Sequence, residues 1–233
     1  MVSFALTRPG GEIGRRRGFK IPRPRGRVGS SPTPGTIFSR PSNAVANRQA
    51  SDDSMNFCSE CAQPISVQVP EGDSLPRYVC EQCGTIHYRN PLLVVGCVPT
   101  WGDRILLCRR AIEPRLGYWT VPAGFLENDE TTREGAARET REEACAEVEI
   151  GSAVSMTHVV HVNQVHLMYR ARLVNERYAA GSESLEVALF RREDIPWEEL
   201  AFPSVRFCLE RYYQDLDRGT EGFHIQDVRR PGS

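Results

Sequence analysis

Two groups of residues in this chain of 233 have types and spacings suited to chemistry. The first is Cys58, Cys61, Cys80 and Cys83, two C-x2-C pairs separated by eighteen residues. Each short loop faces two sulfurs toward one point, and two such loops supply four thiolates to a single tetrahedral zinc. The stretch between them, with Pro64, Pro70, Gly72 and Pro76, is too short and polar to build a core. A metal supplies what packing cannot, with apparent binding energies of about 10–16 kcal/mol in small zinc peptides. Two disulfides or a thioredoxin-like pair are the rival readings, but neither a secretory signal nor a βαβ pattern surrounds the cysteines. His87 stands either as a substitute ligand or as a polar residue on the exit strand. Zinc ribbons also occur in nucleic-acid binders, so this site alone names no activity. Cys97, Cys108, Cys145 and Cys208 lie among apolar neighbours and read as small buried hydrophobes.

The second group lies in GFLENDETTREGAARETREEACA, residues 124–146. At about 100° per residue, Glu139, Glu142 and Glu143 fall within one arc of about 100° on a helix. Such a face is either a solvated acidic surface, partly neutralised by Arg138 and Arg141, or a set of oxygen ligands for magnesium or manganese.

The spacing adds to this. The segment resembles the Nudix box, G-x5-E-x7-R-E-U-x-E-E-x-G-U with U a bulky apolar residue, through Gly124, Glu130, Arg138, Glu139, Glu142 and Glu143. Thr140 and Ala146 replace two U residues, and Cys145 replaces the final Gly, where a left-handed backbone after the helix is expected to cost about 1 kcal/mol. The resemblance implies Glu139 and Glu143 as primary Mg2+ or Mn2+ ligands, with Glu142 and the carbonyl of Gly124 completing the set. It further implies an Arg138–Glu130 pair that fixes the loop. The ions would screen a substrate diphosphate and activate water for attack on phosphorus. Glu142 or Glu143 is a candidate catalytic base, as is a later glutamate, Glu183 or Glu186, of which Glu186 is preferred. Tyr118, Trp119 and Phe125 are candidates to stack on a nucleobase or flavin, their alternative place being the core.

These groups must be positioned by a compact domain beyond Asn90-Pro91. Leu92–Val98 and Ile105–Arg109 read as strands joined at Trp101-Gly102-Asp103, and further strands are expected at Ala146–Val160 and Val165–Val174. Thr131 with Glu134 forms a capping-box pattern for a helix to about Ala144. Pro203–Leu216 has the apolar spacing of a closing amphipathic helix. The expected fold class is α/β: an α/β/α sandwich with a mixed sheet, as the Nudix resemblance implies, preceded by a small zinc ribbon. The ribbon is placed at 52–90, the catalytic domain at 91–224 and a C-terminal tail at 225–233.

The near-neutral net charge of −1 hides an asymmetry: residues 1–51 hold nine Arg and one Lys against Glu12 alone, so about −10 falls on the rest. This Arg-, Ser- and Pro-rich, acid-poor arm has the composition of an organelle transit peptide, or of a disordered basic tail. No stretch approaches the roughly 20 apolar residues of a membrane span.

Two Nudix groups join a ribbon to this box. NADH pyrophosphatases place S-Q-P-W-P-F-P-x-S after it, which GSAVSMTHVVHVNQVHLMYRARL does not match. The chain is similar to the chloroplastic FAD pyrophosphohydrolases through YRNPLLVVGCV, GYWTVPAGFLE, RETREEA, ESLEV with DIPWEELAF, and LERYYQDLDRG. That resemblance implies cleavage of FAD to FMN and AMP with Mg2+ or Mn2+, structural Zn2+, some activity on ADP-ribose, and a plastid location ahead of a mitochondrial one. A homodimer is expected by analogy with related enzymes, and neither nucleic acid nor membrane is expected as a partner. An NADH, NAD-cap or ADP-ribose pyrophosphatase is the alternative enzyme; a catalytically silent nucleotide-sensing module is the alternative from another class.

Overall fold

The computed structural model describes residues 55–230; the basic arm lies outside the described residues, and with it the expected transit peptide. The chain begins with a small sheet of β1 (Ser66–Gln68), β2 (Arg77–Val79) and β3 (Ile86–His87), paired antiparallel in that order. A larger mixed sheet follows. Its strands are β4 (Leu92–Trp101), β5 (Arg104–Arg110), β6 (Trp119–Thr120), β7 (Ala123–Phe125), β8 (Val148–Val159), β9 (Gln164–Leu173), β10 (Ser184–Phe190) and β11 (His224–Val228). Two helices, α1 (Thr132–Ala144) and α2 (Pro203–Arg218), complete the domain.

The main order is β10-β5-β4-β9-β8-β11, with β6 beside β5 and β7 beside β4. The β4–β9 and β8–β11 pairs are parallel and the others antiparallel. β4 forks: its first half pairs with β7 through Val94–Gly96, and its end pairs with β5 at Thr100 and Trp101.

The central strands read as continuous apolar runs because both faces are covered. Val98, Ile105, Leu107 and Met168 point to one face and pack against Val205, Cys208 and Leu209 of α2. Cys97, Tyr169 and Ala171 point to the other and pack against Ala136 of α1. The architecture is thus the expected α/β/α sandwich. Burial pushes the Cys97 and Cys208 thiols up to about 12 and raises Cys108 as well, so these three are inert core residues. Cys145 departs from the expected buried set: it is exposed at the end of α1.

The start of α1 follows its sequence signal. Thr131 accepts from the Glu134 amide at 3.3 Å, and the Glu134 carboxylate accepts from the Thr131 amide at 2.8 Å, which satisfies two orphan donors at once. The end of α1 turns left-handed at Cys145, φ 47°, where the family pattern has glycine.

The domain does not stop at His224 with a tail after it. Residues His224–Val228 add β11 to the edge of β8. Asp215, 3% exposed near the end of α2, holds this return: it accepts from Arg170 of β9, from the Gly222 amide at 2.9 Å and from His224 at 3.1 Å. A five-residue edge strand carries too little apolar pattern to announce itself, and the strand it pairs with, β8, lies some 70 residues earlier.

Candidate active site and metal centre

The four cysteines are the one tight group of metal-ligating side chains found among the described residues, with all sulfurs within 4.8 Å of one another. The knuckles repeat one geometry. Ala62 (φ 57°) and Gly84 (φ 75°) each turn left-handed just after the second cysteine of the pair. The Ala62 amide donates to the Cys58 carbonyl at 2.9 Å, and that of Gly84 to the Cys80 carbonyl at 2.8 Å. The Cys58–Cys83 and Cys61–Cys80 sulfurs stand 3.6 and 3.4 Å apart, far beyond a disulfide bond. Sulfurs bound at about 2.3 Å to one tetrahedral ion are about 3.8 Å apart, so the group fits a single Zn2+. His87 on β3 lies beside this set, its Nε2 3.3 Å from Cys58 Sγ, where it donates to the sulfur rather than replacing it.

The glutamates of α1 are arranged less symmetrically than the helical arc suggests. Glu139 and Glu143 are 9% and 6% exposed, whereas Glu142 stays exposed. Arg138 is the shared counter-charge. It binds Glu130 through two nitrogens (2.7 and 3.0 Å) and donates to Glu139 (2.7 Å), Glu142 (3.0 Å) and the Phe125 carbonyl (3.0 Å). These bonds hold Glu130 below the usual carboxylate range. Glu143 instead has burial as its chief influence, with Glu139 and Glu183 nearby as like charges, and is pushed up to about 8 although it accepts from the Ala123 amide. Burial raises Glu139 too, against the pull of Arg138. Two desolvated carboxyls side by side favour a multivalent cation or a proton, and the first would lower both. Glycine at 124 lets the Glu139 carboxylate lie against the backbone, where a Cβ would displace it.

Of the later glutamates, it is Glu183 that shares the cleft with these carboxylates. Glu186, the preferred base in the sequence, lies elsewhere: on β10 it sits opposite Arg109, exposed, with a 3.7 Å ion pair to it. Strand alternation decides this, because the turn at 182–183 leaves Glu183 just ahead of the sheet while Glu186 is committed to the ladder. The segment before Glu183 is docked on the end of α1. Ala179 and Gly181 amides donate to the carbonyls of Ala144 and Glu143 at 2.9 and 3.0 Å, satisfying acceptors that the helix end leaves free.

Gly181 was not legible as functional, yet a Cβ there would run into the Glu142 carbonyl. Gly181→Ala is expected to push the segment off the helix, weaken folding by about 2 kcal/mol and lower Tm by about 4–8 °C. Turnover should fall by about tenfold or more as Glu183 moves. Thermal melts with steady-state rates test this, and an unchanged melting point would show that the segment is not held as described.

These residues line a cleft of about 2080 Å³, well above the 300–1,000 Å³ of pockets for drug-sized ligands. Phe125 lines it and is half exposed. Trp119 does not serve as a stacking platform: it is 7% exposed in the α2-side core, edge-on to Phe190 at 4.8 Å. Tyr118 is outside the cleft lining and carries Arg115 over its ring at 5.4 Å. From the ribbon, Tyr78 and Arg89 reach the cleft; on the α2 side, Phe202 does so with Arg110 over its ring at 5.1 Å. Gln164, His166 and Ser204 also line it and escaped sequence reading. Their only signal was two polar residues on alternate positions of an otherwise apolar strand start, QVHLM.

Comparison with known proteins agrees with this geometry. Residues 56–89 match the model described as Nudix N-terminal, a zinc ribbon, and residues 90–207 match the NUDIX domain. A crystal structure of a Nudix hydrolase from Nitrosomonas europaea is similar with a TM-score of 0.72 and 46% identity, covering 75% of this chain and 100% of that one. A curated relative from Stutzerimonas stutzeri (strain A1501), named NAD-capped RNA hydrolase NudC, is 26% identical over 161 residues, 67% of this chain and 55% of that protein. A second protein of that name, from Chromobacterium violaceum, is 34% identical over 97 residues, 41% of this chain and 34% of its own length. The chain therefore spans about half, or less, of these curated relatives. With a family model covering half its length and the box glutamates gathered at one end of the sandwich, the chain belongs to the Nudix family.

Proposed function

We propose that the chain hydrolyses the diphosphate of a dinucleotide, with FAD as the first candidate and FMN and AMP as products. The observation that carries this is the burial of Glu139 and Glu143 beside Gly124 and Glu183, at the wall of a cleft large enough for two nucleoside halves. A Cβ-free backbone at 124 and two desolvated carboxyls suit Mg2+ or Mn2+, with Glu139, Glu143, Glu142 and the Gly124 carbonyl as the donors. When bound, such an ion screens the diphosphate and raises the acidity of water. Arg138 holds the loop of Glu130 against α1, so the donors keep their places. Glu183 takes the proton from the attacking water; its oxygen joins one phosphorus as the bridging P–O bond breaks and the second nucleotide leaves as a phosphate monoester.

FAD is preferred because the sequence resemblance to plastid FAD pyrophosphohydrolases runs from the ribbon to the last helix, and a plastid location and a homodimer belong to the same proposal. The names of the curated relatives favour an NAD-type dinucleotide as the second reading, against which stands the missing S-Q-P-W-P-F-P-x-S array.

The test incubates the purified chain with FAD, NADH or ADP-ribose and Mg2+ or Mn2+, and separates products by chromatography. Equal FMN and AMP, lost on chelation, are expected. Intact FAD with cleaved NADH or ADP-ribose would keep the chemistry and discard the flavin role. If every dinucleotide survives, the silent binding module takes its place. In the same assay Glu183→Gln is expected to lose about 10²-fold or more, the range of a general base, and Glu186→Gln less than about twofold. The reverse order would return the role to Glu186.

A further inference from the structure

The cleft contains a polar relay that metal and phosphate chemistry does not use. In the parallel β4–β9 register Gln164 is opposite Leu92 and His166 is opposite Val94, while β7 places Phe125 opposite Val94 from the other side. Register partners project to the same face, so Phe125, Val94, His166 and, one step along, Leu92 and Gln164 form one shelf. It is the face covered further on by α2, whose second residue, Ser204, is buried against the shelf.

His166 bridges the two polar neighbours. Its Nε2 is 3.0 Å from Gln164 Oε1, and its Nδ1 is 2.9 Å from Ser204 Oγ. A carboxamide oxygen only accepts, so His166 donates from Nε2, and the bare Nδ1 accepts from the Ser204 hydroxyl. Burial lowers the imidazole to about 4, so the ring is neutral and this tautomer holds at neutral pH. Gln164 is thereby fixed by its oxygen, which keeps a second lone pair, with its amide nitrogen left to donate along the cleft it lines.

A donor beside an acceptor on a fixed plane, next to an apolar shelf ending in an exposed phenyl ring, is what a flat nitrogen heterocycle needs. We propose that Gln164 reads the edge of a ring of the substrate, one bearing an N–H donor beside an acceptor, that Phe125, Val94 and Leu92 carry the ring's face, and that His166 with Ser204 is a positioning relay. Adenine (N6–H2 beside a ring nitrogen) and isoalloxazine (N3–H beside a carbonyl) both present this edge. This subsite rests on the reading of the cleft as a dinucleotide site.

The experiment is a calorimetric titration of the full chain, without turnover, against AMP, FMN and ribose 5-phosphate, the last having the phosphate and sugar but no ring. AMP or FMN is expected to bind at least about tenfold tighter than ribose 5-phosphate, the lower end of what a bidentate carboxamide–base pair discriminates. Whichever ring compound gains that advantage names the half that is read. Gln164→Leu, of similar volume, is expected to abolish the advantage while leaving ribose 5-phosphate affinity unchanged. Gln164→Glu, which keeps size and polarity but loses the donor, should abolish it for AMP. His166→Leu should shrink the ratio without changing ribose 5-phosphate affinity, a result that general destabilisation would not give. Equal affinities for all three ligands in the unaltered chain, or full discrimination retained by Gln164→Leu, would overturn the proposal. Discrimination in a chain that cleaves no dinucleotide would leave the ring site standing and remove the hydrolase reading; cleavage without discrimination would do the converse.

Discussion

Replacing Glu143 by glutamine is expected to lower turnover by about 10³-fold and, in chelator at high pH, to make the protein more stable. Both effects come from one carboxyl. Glu143 is 6% exposed, accepts from the Ala123 amide, and is pushed by burial to about 8. Its folded value is above the unfolded one, so the stability it allows is complete below about pH 4.5 and is lost as pH rises through about 8. Glutamine can keep the acceptor to Ala123 without ever ionising. The two proteins should therefore melt alike only near pH 4, and by pH 9 the variant should melt several degrees higher, each kcal/mol counting for about 2–4 °C in a chain of this size. The lost rate corresponds to about 4 kcal/mol of transition-state stabilisation. Melting curves in chelator at the two pH values, with kcat in Mg2+ or Mn2+, decide the matter. A variant that turns over normally, or one that gains no stability at pH 9, would remove Glu143 from the proposed donor set.

The other large effect is expected at the ribbon. Cys80 is fully buried, and its backbone closes the second knuckle: its carbonyl accepts from the Gly84 amide and its amide donates to the Thr85 carbonyl. Apart from its sulfurs the ribbon has three strands of at most three residues, with Val67, Val69 and Leu75 exposed, so it has almost no core of its own. In native mass spectrometry the unaltered chain is expected to carry one zinc, and Cys80→Ser should abolish it and erase hydrogen-exchange protection over residues 58–87, because the binding energy is the folding energy. The sandwich, with its own two-faced core, should keep its protection. Because Tyr78 and Arg89 of the ribbon reach the cleft, KM for a dinucleotide should rise while kcat changes little. Full retention of zinc by the variant, or ribbon protection without it, would contradict the assignment.

Much of this was legible in the chain before folding. The start and end of α1, the first two strands of the large sheet and α2 follow from short apolar runs joined at a Gly-Asp turn, from the 3.6 period, from a capping box whose two reciprocal bonds are local, and from a proline at the start of a helix. The paired cysteines and box glutamates were legible for the same reason: their spacing is a property of one turn or one helix face. β11 was missed because its partners are a strand some 70 residues earlier and a buried Asp215, and Trp119 stayed open between cleft and core because an aromatic beside the box reads the same in either place.

What the sequence determined by itself is therefore the chemistry on offer: four thiolates for zinc, carboxylates and a counter-ion on one helix, and the family that this spacing belongs to. Only the tertiary structure decided how that chemistry is divided. It buried Glu139 and Glu143 while leaving Glu142 in solvent, put Glu183 rather than Glu186 at the cleft, and joined Gln164, His166 and Ser204 across 40 residues of chain. The reason is physical. Residue type and spacing act within a turn or two, but desolvation, ladder register and the close approach of a backbone lacking Cβ at Gly124 and Gly181 exist only where distant segments meet.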